Sequence, residues 1–415
     1  LVEPANLSSS AHQQAIVDRG DARPVTSGPA SITKGPVRGM ISLSSAIELV
    51  QPNRIRFGRG TVGEVGAWLR ERAIARVLVV TDAFNAKRVD VLGLGGVVTI
   101  AGELAGEPDT VDLERIIALA ENIVPEAVVG FGGGSAMDLA KLAAVLPGSG
   151  QKLADVVGPE KVGRKGAVLV QVPTTAGTGS EVGTRALVTD RATAAKVAVQ
   201  SLHMLADLAV VDPDVALGMP RAITVATGVD ALAHCVEAFT NRKAHPAVDL
   251  YALEGIRLVG RWLPRAAADL DDPEARAGMA LASLYGGYCL GPVNTSAGHA
   301  VAYPLGTRFH VAHGAANALI FPHTLAFNAP AVADKTALVL AALGLPAASD
   351  PDTVFAAAHR WCHDLGCEMR LSAYGVTDKD LPVMAQEAHA IRRLLDNNPR
   401  DLAREDILAI YRRAL

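Results

Sequence analysis

The sequence predicts an α/β N-terminal half built on a mostly parallel sheet, followed by an all-helical C-terminal half. Two observations carry this prediction. Between Ile55 and Val211, short apolar runs alternate with helix-period segments, the pattern of strands joined by crossover helices. Beyond Pro220 the strand signal stops and helical spacing continues to the end of the chain. The length agrees, since 415 residues of which 50% are apolar suffice for two domains with substantial cores.

Residues 1–39 mix Ser, Pro, Gly and isolated charges without an apolar period, so they predict a disordered extension, with Met40 as a candidate start. Residues 40–218 are expected to form the α/β domain and residues 219–415 the helical one. Within the first, Val62, Val65, Leu69 and Ala73 share one face of a helix over Thr61–Ala73. RVLVVTD (Arg76–Asp82) and GVVTIAG (Gly96–Gly102) read as strands, Val111–Val124 as a helix and Glu126–Phe131 as a strand. Ser135–Val145 reads as a helix and Val168–Pro173 as a strand. Leu205–Pro220 closes the half with two prolines and a glycine. In the second half, Arg221–Thr240, Ala247–Leu263 and Glu274–Tyr288 have helical spacing, with breaks expected at Pro246, Pro264, Pro292 and Pro322. The cleft between the halves is where a ligand is expected.

Charge excludes some partners. With 39 basic and 43 acidic side chains the net charge is −4, which argues against nucleic acid or an anionic membrane surface. The longest charge-free stretch, Met279–Thr307, carries Pro292, Asn294, Ser296, His299 and Pro304, which suit buried functional protein better than lipid. No basic segment followed by an apolar run is visible near the start. Cys235, Cys289, Cys362 and Cys367 complete neither a zinc ribbon nor a disulfide framework, which predicts reduced thiols and a cytoplasmic protein.

Four segments, and Asp82, can carry chemistry. In VVGFGGGSAMDLAK (Val128–Lys141), three glycines stand between a strand and a helix, fitting either a phosphate cradle at a helix N-terminus or a tight turn. VPTTAGTGSEV (Val172–Val182) offers Thr174, Thr175, Thr178 and Ser180 among small residues, fitting a dinucleotide contact or a polar loop. Asp82 at a strand end can accept from ribose hydroxyls and repel a 2′-phosphate, or simply shape a turn. In GVDALAHCVEAF, Asp230 and His234 lie one helical turn apart. The stretch Gly298–His323 adds His299, His310, His313 and His323, four of the chain's 11 histidines. A carboxylate with imidazoles fits Fe²⁺ or Zn²⁺ better than Mg²⁺ or Ca²⁺.

In this order, GGGSAMDLAK, PTTAGTGSEV, DALAHCVEAF and GHAVAYPLGTRFHVAHGAANAL resemble the iron-containing (group III) alcohol dehydrogenases, over roughly Arg54–Leu415. The resemblance implies an α/β dinucleotide-binding domain and a helical metal-binding domain, the architecture shared with dehydroquinate synthase. It implies Asp230, His234, His299 and His313 as ligands of Fe²⁺ (or Zn²⁺). It further implies that Gly133, Gly134 and Ser135 cradle a pyrophosphate with Asp138 nearby, that Thr174, Thr175, Thr178 and Lys196 line the cofactor, and that Asp82 selects NAD(H). Two departures stand out. Tyr303 occupies a position where many members have a histidine relay, so the proton passes through Tyr303, His310 or water. GEPDT (Gly106–Thr110) replaces the usual Pro-Asn-Pro-Thr.

The implied activity is hydride transfer between NAD(H) and a small alcohol or aldehyde, with the metal polarising the substrate oxygen. A metal- and NAD-dependent cyclase or lyase of the dehydroquinate synthase type, and a non-catalytic NAD-binding protein, are the alternatives. Arg308, the lone cation of the metal segment, either recognises a carboxylate, sulfonate or phosphonate or is structural. The expected partners are the small substrate and a second copy of the chain, without nucleic acid or membrane.

Overall fold

The computed structural model describes residues 43–104, 106–193 and 195–415. The reading of residues 1–39 as a disordered extension lies outside these described residues. The strands in chain order are β1 (Ile55–Phe57), β2 (Arg76–Asp82), β3 (Val97–Leu104), β4 (Ala127–Gly132), β5 (Gly158–Pro159), β6 (Val168–Pro173), β7 (Arg185–Thr189), β8 (Lys196–Gln200) and β9 (Leu208–Val211). Six of them form an all-parallel sheet in the order β1-β9-β6-β4-β2-β3. The helices of this half are α1 (Glu64–Arg70), α2 (Thr110–Ile123), α3 (Gly134–Val145) and the single turn α4 (Leu153–Val156).

Alternation along the strands explains how both faces of the sheet are covered. Leu78 and Val80 of β2 pack with Leu113 and Ile116 of α2 and Leu139 of α3, whereas Val77 and Val79 pack with Val65 and Leu69 of α1 on the other face. Every residue of β4 is buried. The order of strands creates a switch point, because β3 lies on one side of β2 and β4 on the other. Crevices outside the carboxyl ends of strands at such a point bind ligands, and here those ends are Asp82 and Gly132.

The helical region comprises α5 (Arg221–Thr240), α6 (Pro246–Ala268), α7 (Pro273–Leu290), α8 (Ala297–Phe309), α9 (His313–Asn328), α10 (Ala333–Ala342), α11 (Pro351–Asp364), α12 (Leu381–Ala390), α13 (Arg392–Leu395) and α14 (Arg404–Ala414). Helix α5 is its axis: Val229, Leu232, Val236 and Phe239 share one core with residues of α6, α7, α9 and α11. By length and composition α5 could cross a membrane, with a mean hydropathy of 1.3 over its most apolar window, but most of that window is buried inside the protein.

Several expectations need correction. Pro264 and Pro322 lie inside α6 and α9, and Pro304 lies inside α8. An interior proline costs about 3 kcal/mol, and the burial of these helices offsets it; α6 therefore runs on to Ala268 instead of ending at Leu263. Pro246, by contrast, is the first residue of α6, where a missing N–H costs nothing. The helix over Thr61–Ala73 divides into a 3-10 turn at Thr61–Gly63 and α1, and the chain leaves it with Ala73 at φ 56°. A small second sheet, in the order β5-β8-β7, was not anticipated. Between the two regions, Gly179 of the hydroxyl-rich loop (φ +60°) lies against Gly287 of α7, where a Cβ would come within 2.5 Å of the partner backbone.

Candidate active site

Helices α5, α8 and α9 bring Asp230, His234, His299 and His313 together. Asp230 and His234 share a face of α5 through their i, i+4 spacing, His299 sits in the first turn of α8, and His313 opens α9. Asp230 Oδ1 is the common point, 3.5 Å from Nε2 of both His299 and His313 and 3.8 Å from Nε2 of His234. Among the described residues, Asp230, His299 and His313 each offer a ligand atom within 4.8 Å of the others.

Two neighbours set the direction of the rings. His299 Nδ1–H donates to Glu237 Oε1 at 2.6 Å, and His234 Nδ1 lies 3.2 Å from the carbonyl oxygen of Gly177. Both contacts turn Nε2 inward, as is usual for metal-binding imidazoles. Glu237 is itself held by the Ser296 N–H at 2.6 Å. Asn317 Nδ2 donates to Asp230 Oδ1 at 2.7 Å and lies 3.2 Å from Nε2 of His299 and of His313.

The electrostatics call for a cation. Burial opposes ionisation of Asp230, but the imidazoles of His234, His313 and His299 outweigh it and hold its carboxyl well below the usual range. Burial also opposes a charge on His299, yet Glu237 and Asp230 prevail and push it up to about 10. His234, without a carboxylate at hydrogen-bond distance, is drawn down to about 4 by burial. Positive charge, proton or metal, is thus favoured between the two carboxylates. Three imidazole nitrogens and a carboxylate aimed at one point fit a divalent transition metal.

The other wall of the cleft comes from the α/β region. Helix α3 starts at Gly134 with no side-chain cap, so its first N–H groups stand ready for an anion. Gly134 is required there, because a Cβ would lie 2.8 Å from Thr178 Cγ2. The cleft, of about 240 Å³, is lined by Gly134, Ser135, Thr178 and Lys196 on this side and by His234, His299, Tyr303 and His313 on the other. It is open to solvent and brings the uncapped end of α3 and the imidazole cluster to opposite sides of one cleft.

The remaining expected residues divide. Thr174 is buried and accepts from Asn85 Nδ2 at 3.2 Å; Thr175 lies against Gly133. Asp82 Oδ1 accepts from the N–H groups of Phe84 and Asn85, both at 2.9 Å, an Asx turn at the switch point. Asp138 ties α3 to its surroundings, accepting from Ser180 Oγ at 2.5 Å and from the Leu187 N–H at 2.9 Å. Tyr303 is buried and faces His313, ring centroids 5.9 Å apart. His310 is not brought to the site: it is exposed, in the left-handed region at the end of α8, and does not line the cleft. Arg308 is likewise outside, in a two-pronged pair with Glu387 at 2.7 and 2.5 Å. His323 is buried between α9 and α11 beside Phe355, apart from the four ligand candidates.

Two models of known families cover this chain: the iron-containing alcohol dehydrogenases over residues 52–213 and the C-terminal region of the same family over residues 224–415. Long-chain-alcohol dehydrogenase 1 of Geobacillus thermodenitrificans is 33% identical over 389 residues, covering 89% of this chain and 97% of its own. The chain belongs to the iron-containing alcohol dehydrogenase family. The fold agrees: a 1,3-propanediol oxidoreductase superposes with a TM-score of 0.84 at 30% identity, covering 89% of this chain and all of its own. A sulfoacetaldehyde reductase from Bifidobacterium kashiwanohense, solved with NAD⁺, superposes with a TM-score of 0.81 at 28% identity, covering 89% of this chain and 99% of its own.

Four polar residues of this dehydrogenase were missed in the sequence. Glu237 stands seven residues after Asp230 on α5, hence on the same face, and a charge in an otherwise buried helix was the available signal. Asn317 is four residues after His313 on α9. Glu107, from the GEPDT segment, reaches the cleft and pairs with Lys196. Arg185 opens β7 and lines the cleft beside Asn294 and Tyr303, with nothing in its local sequence to announce it.

Proposed function

We propose that this enzyme interconverts a small alcohol and its aldehyde with NAD(H) in the cleft between residues 40–218 and 219–415, working as two domains. One observation carries the reading: a carboxylate and three imidazoles converge across a single cleft from an uncapped helix N-terminus. Asp230, His234, His299 and His313 would hold Fe²⁺ (or Zn²⁺). Gly133, Gly134 and Ser135 would take the pyrophosphate, and Thr174, Thr175, Thr178 and Lys196 the rest of the cofactor. When bound, the metal supplies positive charge at the substrate oxygen and NAD(H) gives or takes the hydride.

The chain's own residues position and protonate. Glu237 and the Gly177 carbonyl hold two imidazoles in register. Asp138 and Ser180 brace α3, which aims the pyrophosphate site. Tyr303 Oη accepts from Arg393 Nη2 at 3.4 Å, leaving its own proton for the cleft. That phenol passes the proton to the product oxygen, a role that the exposed His310 is not placed to fill. A cyclase or lyase acting on a multiply charged substrate is disfavoured, because the cleft's lysines are already paired, Lys196 with Glu107 and Lys141 with Asp138, which leaves Arg185 alone among its lysines and arginines without a carboxylate partner among the described residues. We read the protein as a cytoplasmic homodimer, in keeping with three buried thiols at Cys235, Cys289 and Cys362; sedimentation tests the dimer.

The primary test is metal dependence. A chelator is expected to abolish NADH-linked aldehyde reduction and Fe²⁺ or Zn²⁺ to restore it; full activity in protein free of transition metal by elemental analysis would overturn the reading. Glu237→Gln keeps size but loses the charge facing His299, so metal affinity is expected to fall about 10–100-fold, as measured by competition with a chelating dye. Asp82→Gly is expected to narrow the preference for NADH over NADPH by about 1–3 kcal/mol, the worth of a charge-assisted hydrogen bond. Equal use of both cofactors by the unmodified enzyme would refute that assignment.

A further inference from the structure

Family membership leaves the substrate open, and the cleft contains a feature that narrows it. Arg185 lines the cleft beside Tyr303, and Arg393 reaches the same tyrosine from outside the cleft lining, Nη2 lying 3.4 Å from Oη. Arg185 Nη1 donates to Asn294 Oδ1 at 2.9 Å and Nη2 to Gln200 Oε1 at 3.2 Å, both neutral acceptors. The side-chain partner of Arg393 is the Tyr303 hydroxyl, with the ring face 5.7 Å from its guanidinium carbon. Among the described residues neither arginine forms an ion pair with a carboxylate.

The surrounding charges sharpen the contrast. Glu107 is taken by Lys196. Asp138 serves Ser180, Leu187 and Lys141. Arg308, the cation that the sequence put forward for substrate recognition, is neutralised by Glu387 outside the cleft. Burial first, and Arg393 second, pull the Arg185 guanidinium below its ordinary range, so its charge is costly in the absence of an anion.

On the reading of the cleft as a dehydrogenase site, we infer that the substrate is a short aldehyde, or the matching alcohol, carrying a terminal oxyanion seated between Arg185 and Arg393. A guanidinium fork suits a carboxylate, sulfonate or phosphonate, each presenting two coplanar acceptor oxygens. The reacting carbon then lies toward His299 and His313, which line the same cleft. A neutral aldehyde of equal length reaches that point but leaves Arg185 with only its neutral acceptors Asn294 and Gln200 and without a counter-charge, a difference that discriminates between the two substrates.

The test uses metal-loaded enzyme and NADH with succinic semialdehyde, sulfoacetaldehyde and phosphonoacetaldehyde against propanal and pentanal. At least one oxyanion substrate is expected to exceed its neutral counterpart in kcat/KM by on the order of 10²-fold or more; which one distinguishes the three headgroups. Arg185→Gln and Arg393→Gln are each expected to lower that ratio at least tenfold, and Arg185→Lys, which keeps charge without the fork, to lower it less. Arg393 is exposed, so its replacement is compatible with folding. Neutral aldehydes used as well as all three anions, or a ratio unmoved by either Gln variant, would overturn the inference. Calorimetry with 4-hydroxybutanoate, 2-hydroxyethanesulfonate and 2-hydroxyethylphosphonate supplies a second arm. Arg185-dependent binding without turnover of any aldehyde supports the oxyanion site and removes the dehydrogenase reading; absence of both binding and turnover removes both.

Discussion

Asp230→Asn is expected to cost essentially all turnover and all bound metal while NADH still binds. Asp230 is the common point of the ligand cluster, its Oδ1 lying 3.5 Å from two imidazole nitrogens. It is 2% exposed, so water cannot substitute for its charge. The amide keeps the size but places either a neutral oxygen or an NH₂ group where charge is needed, and an NH₂ there would face the NH₂ of Asn317. Loss of a Lewis acid costs several kcal/mol, which is on the order of 10³-fold in rate at 1.36 kcal/mol per decade. Elemental analysis, NADH fluorescence and steady-state rates on one preparation separate the outcomes. Retained stoichiometric metal, or NADH affinity lost together with the metal, would contradict the division of labour between the two walls of the cleft.

Tyr303→Phe isolates the proton step. The ring stays, so the contact with His313 and the wall of the cleft are preserved, and the hydroxyl alone disappears. General acid–base groups contribute about 10²–10⁴-fold, a loss well beyond that of a small packing change. Metal content and NADH affinity are expected to hold, and the solvent isotope effect on turnover to change as proton delivery becomes limiting. His310→Gln provides the contrast, with near-normal turnover expected from its exposed position. Full activity in Tyr303→Phe would assign proton delivery to water, and loss of activity in His310→Gln alone would return it to that histidine.

Elements bounded by strong local signals were legible in the sequence. The strands Arg76–Asp82 and Val168–Pro173 and the helix Arg221–Thr240 end where expected, because apolar runs stop at Asp, Pro or a polar residue that cannot continue the pattern. The pair Asp230 and His234, proposed as metal ligands, was legible for a similar reason, since its partners are one turn apart. Glu237 was not: its contact with His299 spans 62 positions, and a glutamate on a helix ordinarily marks a solvated face. Arg185 and Arg393 are further apart still, and their approach to Tyr303 depends on β7 and α13 both being in place. Strands β7 and β8 escaped because they are short, partly exposed and joined through a polar turn, so their alternation is weak. Pro264 and Pro322 misled because local propensity yields to packing in a buried helix.

The apolar character of α5 has a cost during synthesis. The helix is complete at Thr240, yet α9, which covers it and supplies His313, ends at Asn328, about 90 residues later. At roughly 5–20 residues per second, that interval lasts on the order of 4–18 s. During it α6 and α7 become available to cover part of α5, but the face that α9 covers stays open until the end of the interval. Slow translation after Thr240, or truncation before α9, leaves this surface open to other nascent chains or to a chaperone. The helix that brings Asp230 and His234 to their cluster is therefore also the segment through which incomplete copies of the enzyme are expected to associate.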